Sequence, residues 1–300
     1  MTDTLLRPLL AGSIDYAGLF PPAGLDMRTA VAQYAEYLAG SDAWALGRFV
    51  VPVARLAELE READALAPRA PGEPWRLSVL LGPDAADELH ALGEFNCRHA
   101  AAGAAALSGD AVEAKAGSVE AIDGLLEALP RWATAYVEIP LVRDPAPLVA
   151  AIARHGARAK ARTGGVTADA FPSTVDLLRF LRACTAAGVP FKATAGLHHA
   201  LRAEHRLTYA PDSARGTMYG FLNVFVAAAL LRRGLGDADA LRLLEERSAD
   251  AFRFSADAIE WRDYRLDRAA VEEARAAGIG GFGSCSFTEP VEELRGMGVL

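Results

Sequence analysis

The chain has 300 residues and a mass of 31.7 kDa, twice the ~150-residue length expected of one domain and not far above the ~250 residues typical of a parallel α/β barrel. With 52% hydrophobic and 23% charged residues, it has ample material for a packed core, which excludes intrinsic disorder, a collagen-like repeat and a disulfide-stapled miniprotein. A net charge of -8 and a pI near 5.3 oppose the basic stripe that phosphate-backbone binding needs, so nucleic acid is not an expected partner.

Around Arg7 a short Leu-rich stretch lacks the basic region and long apolar core of an export signal. The longest apolar run, Phe221 to Leu231, is too short to span a bilayer, so no membrane partner is expected. Ser13 to Leu19 is the first strand-like run, broken by Pro21, Pro22 and Gly24 before a helix over about Asp26 to Leu38. The same unit then recurs. Strands are expected at Arg48 to Val53, Arg76 to Leu81, Ala111 to Ala116, Ala135 to Leu141, Arg158 to Thr163, Pro190 to Ala195 and Phe282 to Phe287. Between them helical patterns cover Val53 to Leu66, Ala85 to His99, Val119 to Leu129, Pro145 to His155 and Ser173 to Ala187. Eight strands alternating with helices predict an α/β fold, a (βα)8 TIM barrel, with a doubly wound open sheet as the alternative. Between the seventh and eighth strands, Glu204 to Asp267 reads as an insertion holding helices near Phe221 to Arg232 and Ala238 to Ala249 and a hairpin around Phe252 to Leu266. No Gly/Ser/Pro linker isolates it, so residues 1–300 are expected to form one domain.

Only three of the 31 basic residues are lysines, Lys115, Lys160 and Lys192. Drift of surface lysine to arginine in an Ala- and Arg-rich chain leaves lysine where a compact ammonium or a free amine is needed. Strand side chains alternate, and sorting them puts Glu113 and Lys115, Tyr136 and Glu138, Arg158, Lys160 and Arg162, and Lys192 and Thr194 on the faces opposite the apolar sets. All three lysines therefore point into the barrel. Barrel interiors are normally Val, Ile and Leu, and an enclosed charge costs several kcal/mol unless paired, so this cluster at the C-terminal strand ends marks a functional site.

Two segments carry a family resemblance. Ala159 to Gly165 reads AKARTGG and Pro190 to His198 reads PFKATAGLH, each with Gly four residues after Lys. This resembles the sixth and seventh strands of deoxyribose-phosphate aldolase, a class I aldolase barrel. The resemblance implies a Schiff-base role for Lys160 and an electrostatic role for Lys192. It also matches Glu138 in VEIPL to a strand-five glutamate, Glu113 to a strand-four aspartate, and Gly283, Ser284 and Ser286 in FGSCSF to a phosphate-binding turn. The chain departs from that pattern at Arg162, where a small hydroxylated residue is expected, near Thr134, where a lysine is missing, and in the Glu204 to Asp267 insertion. The strings FPS at Phe171 to Ser173, GLHH at Gly196 to His199 and GFLNVF at Gly220 to Phe225 are similar to a bacterial protein group without an assigned activity.

The expected function is that of a cytoplasmic lyase acting on a small, anionic carbonyl substrate through a lysine Schiff base. Lys192 and Arg162 are expected to lower the basicity of Lys160, and Glu113 or Glu138, with Lys115 nearby, to move protons. Candidate substrate contacts are Asp15, Arg162, Thr163, Gly164, Gly165, Thr194, Gly196, His198, Arg202, Gly283, Ser284 and Ser286. The glycines either offer N–H groups to a phosphate or simply end strands, and Arg162 and Arg202 would instead grip a carboxylate. Asp15 reads equally as a turn cap, and Cys285 as a packed thiol with no histidine beside it in sequence. His198 and His199 point opposite ways on a strand and no HxH or HExxH spacing occurs, so neither a metal nor another cofactor is expected. Cys97, Cys184 and Cys285, odd in number and without a CxxC pair, fit a reducing compartment. A metal-dependent carbon–carbon lyase, a non-covalent isomerase and a non-catalytic binding protein are the alternatives, and self-association stays open.

Overall fold

The alternating runs pair edge to edge, all in parallel. In the computed structural model, which describes residues 4–300, β1 (Ile14–Tyr16), β2 (Leu46–Pro52), β3 (Trp75–Leu80), β4 (Leu107–Lys115), β5 (Thr134–Glu138), β6 (Arg158–Arg162) and β7 (Phe191–Thr194) lie side by side in chain order. Five short strands follow outside the ring: β8 (Ala203–Arg206), β9 (Arg215–Met218), β10 (Phe252–Phe254), β11 (Ala258–Trp261) and β12 (Tyr264–Asp267). The eighth barrel strand is then β13 (Ile279–Ser284), which lies between β7 and β1. Because β1 pairs with both β2 and β13, the sheet is closed, giving the (βα)8 TIM barrel and excluding the open sheet.

Local chemistry starts and stops the surrounding helices. The Asp26, Ser118, Ser173 and Asp267 side chains each accept a hydrogen bond from the backbone N–H three residues on, opening the helices Met27–Ala39, Val119–Ala128, Thr174–Ala187 and Arg268–Ala277. Gly188, at φ +65°, ends Thr174–Ala187 in the left-handed region that favours glycine.

The segment between β7 and β13 is more mixed than expected. Its helix Phe221–Arg232 is buried along nearly its whole length and packs on Thr174–Ala187 and β13, as a ring helix does. Asn223 is the buried structural amide there: its Nδ2 donates to the Leu243 and Glu246 carbonyls and its Oδ1 accepts from Arg202 N. The next helix, Asp237–Leu244, stops five residues short of the expected end, because the Glu246 carboxylate takes the N–H groups of Arg247 and Ser248. In place of one hairpin near Phe252 to Leu266, β10, β11 and β12 form a three-stranded antiparallel sheet. The β8–β9 hairpin has no counterpart in the sequence reading, since AEHR and RGTM lack an apolar alternation.

At the barrel seam the last strand ends earlier than Phe287. The Ser284 hydroxyl donates to the Ser286 carbonyl at 2.6 Å, which bends the chain into the helix Thr288–Gly296. Among the described residues no helix is long and apolar enough to cross a membrane.

The seam closes through Phe282 N donating to Ser13 O and Ala17 N donating to Ser284 O, each at 2.7 Å. A Cβ at Gly281 would stand 2.6 Å from the Ser13 carbonyl oxygen, whereas one at Gly283 would meet only Thr194 Oγ1, at 3.4 Å. Gly281→Ala should therefore cost about 1–3 kcal/mol in urea unfolding, and Gly283→Ala clearly less. Equal losses would contradict the steric contrast between the two positions.

Candidate active site

Parallel register puts the charged residues at one level near the C-terminal strand ends. Lys160 stands opposite Lys192 and Glu138 opposite Lys160, so three adjacent strands deliver them to one layer. Glu113 reaches in from β4 and joins the lysines: its Oε2 lies 2.6 Å from Lys160 Nζ and its Oε1 2.5 Å from Lys192 Nζ. Lys160 also holds Glu138 Oε2 at 2.8 Å, and Lys192 holds Asp15 Oδ2 at 2.5 Å. The Ser78 hydroxyl donates to Glu113 Oε1 at 2.5 Å, and the Arg48 backbone N–H donates to Asp15 Oδ1 at 2.6 Å. Below, the Tyr136 ring lies 5.6 Å from Lys192 Nζ. Lys160 is 4% exposed and Lys192 1%, so each charge is buried and partnered.

Burial by itself would raise the Glu113 carboxyl, but the Lys160 and Lys192 ammoniums outweigh it and hold it far below the usual carboxylate range. Burial likewise works to raise Glu138, and Lys160, with Arg162 and Lys115, overrides it and lowers it. For Lys192 burial pulls downward, yet Asp15 and Glu113 raise the ammonium well above its ordinary value, making it a fixed cation.

Above this floor opens a cavity of about 710 Å³, onto which Glu113, Glu138, Lys160, Lys192, Thr194, His198 and Gly283 face. Lys115 and Arg162 stand at its rim, on the last residues of β4 and β6. The Lys115 side chain is 76% exposed with Nζ 3.9 Å from Glu138 Oε1, so it is not a third buried lysine: its strand ends there and the side chain rises out of the barrel. Arg162 is 47% exposed and places Nε 3.4 Å from the same Glu138 oxygen. Glu113 is shared by Lys160 and Lys192, and Glu138 by Lys160 and Arg162, so carboxylates link each of these cations to Lys160. In formal charge the floor has three carboxylates to two ammoniums, and the two rim cations turn the whole positive.

His198 lines the cavity while its Nδ1 meets Ser284 Oγ at 2.9 Å. Ser284 gives its one proton to the Ser286 carbonyl, so His198 Nδ1 donates and Nε2 keeps its lone pair. Burial, with His199 nearby, pushes His198 down to about 4, leaving it neutral at pH 7. Cys285 Sγ is 3.8 Å from His198 Nδ1 and also faces the cavity, so a histidine does stand beside it. Burial raises the thiol, so it remains protonated and packed. Beside it Ala195 adopts φ +60°, a strained conformation for a residue with a Cβ. The Thr163 hydroxyl donates to the Ala195 carbonyl at 2.7 Å and pins it.

Several expected substrate contacts serve the frame instead. Thr163 is fully buried in that clasp. Gly164 and Gly196 make room for the Phe171 ring, against which added Cβ atoms would come to 2.4 and 2.9 Å. Asp15 anchors Lys192 from behind, and Ser284 orients His198. Ser286 Oγ accepts from Glu289 N at the start of the last helix. Arg202 lies over the Tyr219 ring, 4.6 Å from its centre, away from the cavity. Of the candidate glycines, Gly165 and Gly283 line the main cavity. Ser78 went unread, although its place among the apolar residues of β3 was a parity signal. The nearness of Cys285 to His198 depends on strand pairing across the seam and had no local signal.

Stability should record the cluster. The Glu113 carboxyl is depressed in the fold, so its contribution is complete above its ordinary value of 4.5 and is lost as pH falls below it. The Lys192 ammonium is raised, so its contribution is complete below 10.5 and is lost as pH climbs past that value. Urea midpoints should be level between those limits and drop on both sides. Glu113→Gln, which strips both ammoniums of a shared partner, should cost about 3–5 kcal/mol at pH 7 and flatten the acid limb. An unchanged acid limb would remove Glu113 from the account.

Comparison of the chain with protein-family models, with curated proteins and with solved structures finds no match in any of the three.

Proposed function

We propose that this barrel is a class I aldolase-like lyase for a small anionic carbonyl compound, with Lys160 as the Schiff-base amine and Lys192 as a fixed cation beside it. The observation that carries the reading is the meeting of two buried lysines, opposite each other on adjacent strands, on one glutamate at the floor of an open cavity. The resemblance of AKARTGG and PFKATAGLH to the aldolase strands supports the same roles. Lys115 and Arg162 at the rim suit a phosphate or carboxylate on the substrate.

The division of labour follows from partners. Lys192 is the deeper ammonium and is kept charged by Asp15 and Glu113. Lys160 has Glu138, which is less deeply buried than Glu113, at 9% against 3% exposed, and faces the cavity. In the proposed sequence Glu138 takes a proton from Lys160, and the free amine attacks the substrate carbonyl carbon. One proton of the attacking nitrogen and the proton held by Glu138 then go to the oxygen, which leaves as water when the iminium forms. The iminium accepts the electron pair released by carbon–carbon cleavage, while the proton of the departing hydroxyl passes to a carboxylate or to the neutral His198. Ordinary pK matching favours such a base near neutrality only if substrate binding displaces part of the ion pairing, which an anionic group at Arg162 would do by drawing that cation from Glu138. Three free cysteines suit the cytoplasmic location proposed from composition.

A second reading has its own support, since both ammoniums are matched by carboxylates at 2.5–2.8 Å. Such a paired network serves proton transfer without a covalent bond, as in an isomerase, or simply binds a ligand. Borohydride reduction in the presence of phosphorylated aldehydes or 2-keto acids separates these readings. We expect a covalent adduct on Lys160, none in Lys160→Ala, a slow one in Lys192→Met, and trapping slowed by roughly 10²–10⁴-fold in Glu138→Gln. An adduct on Lys192 or Lys115 would reassign the nucleophile. Turnover by Lys160→Ala would eliminate the Schiff base.

A further inference from the structure

Beside the main cavity lies a chamber of about 270 Å³ that shares Pro21, Gly165, Ala195 and His198 with it. His199, just after β7, and His205, on β8, line it, and Glu293 of the helix Thr288–Gly296 meets both histidines. One donor atom from each lies within 4.8 Å of the others. His199 Nδ1 is 2.5 Å from Glu293 Oε1, and Glu293 Oε2 accepts from Ala200 N at 2.7 Å, which fixes the carboxylate. The two imidazoles lie face to face, 3.3 Å apart and 7° from parallel. His205 Nε2 is buried and has no hydrogen-bond partner among the described residues.

Hydrogen bonding alone explains part of this arrangement. Glu293 satisfies His199 and the Ala200 N–H, but His205 keeps a buried ring nitrogen unmatched, a cost of about 1–3 kcal/mol. A cation would remove that cost. Two imidazole nitrogens and a carboxylate oxygen from three separate elements are the ligand types of a borderline divalent ion of the zinc class, with a fourth position left to water or a further ligand. Glu289 lines the same chamber. Zinc–ligand bonds of about 2.0–2.2 Å would draw the donors closer by side-chain rotation.

We propose that His199, His205 and Glu293 form a zinc-class divalent site that ties the β8–β9 hairpin to the barrel next to the cavity mouth. Adjacent residues of GLHH divide their duties, His198 facing the main cavity and His199 the ion. This inference does not depend on the Schiff-base reading, since none of the three ligands touches Lys160 or Lys192.

The test is titration of chelator-treated full-length protein with zinc chloride against a chromophoric chelator, with cobalt(II) as a spectroscopic substitute. We expect one equivalent per chain, visible cobalt bands of a four- or five-coordinate nitrogen and oxygen site, and a higher melting temperature with zinc. His205→Asn and Glu293→Gln should each weaken binding at least tenfold, and His90→Asn, which changes an exposed histidine elsewhere, should not. Trypsin cleavage at Arg206 or Arg215 should slow on adding zinc to the wild-type chain but not to His205→Asn. If Glu293→Gln fails to fold, His205→Asn decides the matter, because its side chain lies on a surface hairpin. Absence of stoichiometric binding by the wild type, or unchanged affinity in His205→Asn, would overturn the proposal.

Discussion

Glu113 is the pivot of the molecule. Its two carboxylate oxygens hold the two buried lysines, Ser78 donates to one of them, and from the lysines the network spreads to Asp15 and Glu138. Five barrel strands are thus joined through charge inside a space that apolar side chains would ordinarily fill. Replacing a buried ion cluster by packed hydrophobic residues is often neutral or stabilising, so stability gives little reason to keep one. The cluster lies at the strand ends, the face where barrel active sites are built, which supports the proposed chemistry.

Around the pivot the structure separates fixed from exchangeable charge. Lys192 lies at the bottom, enclosed by Asp15 and Glu113, and its proton is held firmly. Glu138 sits at the cavity surface, touched by Lys160 below and by Arg162 and Lys115 above. Any ligand that engages the rim cations therefore alters the surroundings of Glu138 first and those of Lys160 through it. Rigid support comes from behind, where Thr163 pins the strained Ala195 and Ser284 sets the orientation of His198.

What could be read from sequence followed the reach of its rules. Strand parity placed Glu113, Glu138, Lys160 and Lys192 together because alternation is a local property and barrel register keeps neighbouring strands level. Parity and register put Lys115 in one row with Glu138, Lys160 and Lys192, but neither says where a side chain on the last residue of a strand turns, and this one leaves for the rim. Glycines gave an ambiguous signal: Gly164 and Gly196 yield space to Phe171, which no spacing within the strands announces. Arg202 was misplaced because the loop after β7 turns it onto Tyr219. Groups drawn from remote segments, such as Cys285 with His198 or His199 with His205 and Glu293, exist only after the barrel closes and the hairpin docks.

The central claim, that Lys160 is the reacting amine and Lys192 its fixed neighbour, is tested most directly by a crystal structure of the protein reduced with borohydride in the presence of a trapped carbonyl ligand. The account predicts continuous density from Lys160 Nζ into the ligand, Lys192 still bound to Asp15 and Glu113, and the anionic end of the ligand at Arg162. A ligand lying unbonded in the cavity, with Lys160 still paired to Glu113 and Glu138, would contradict it.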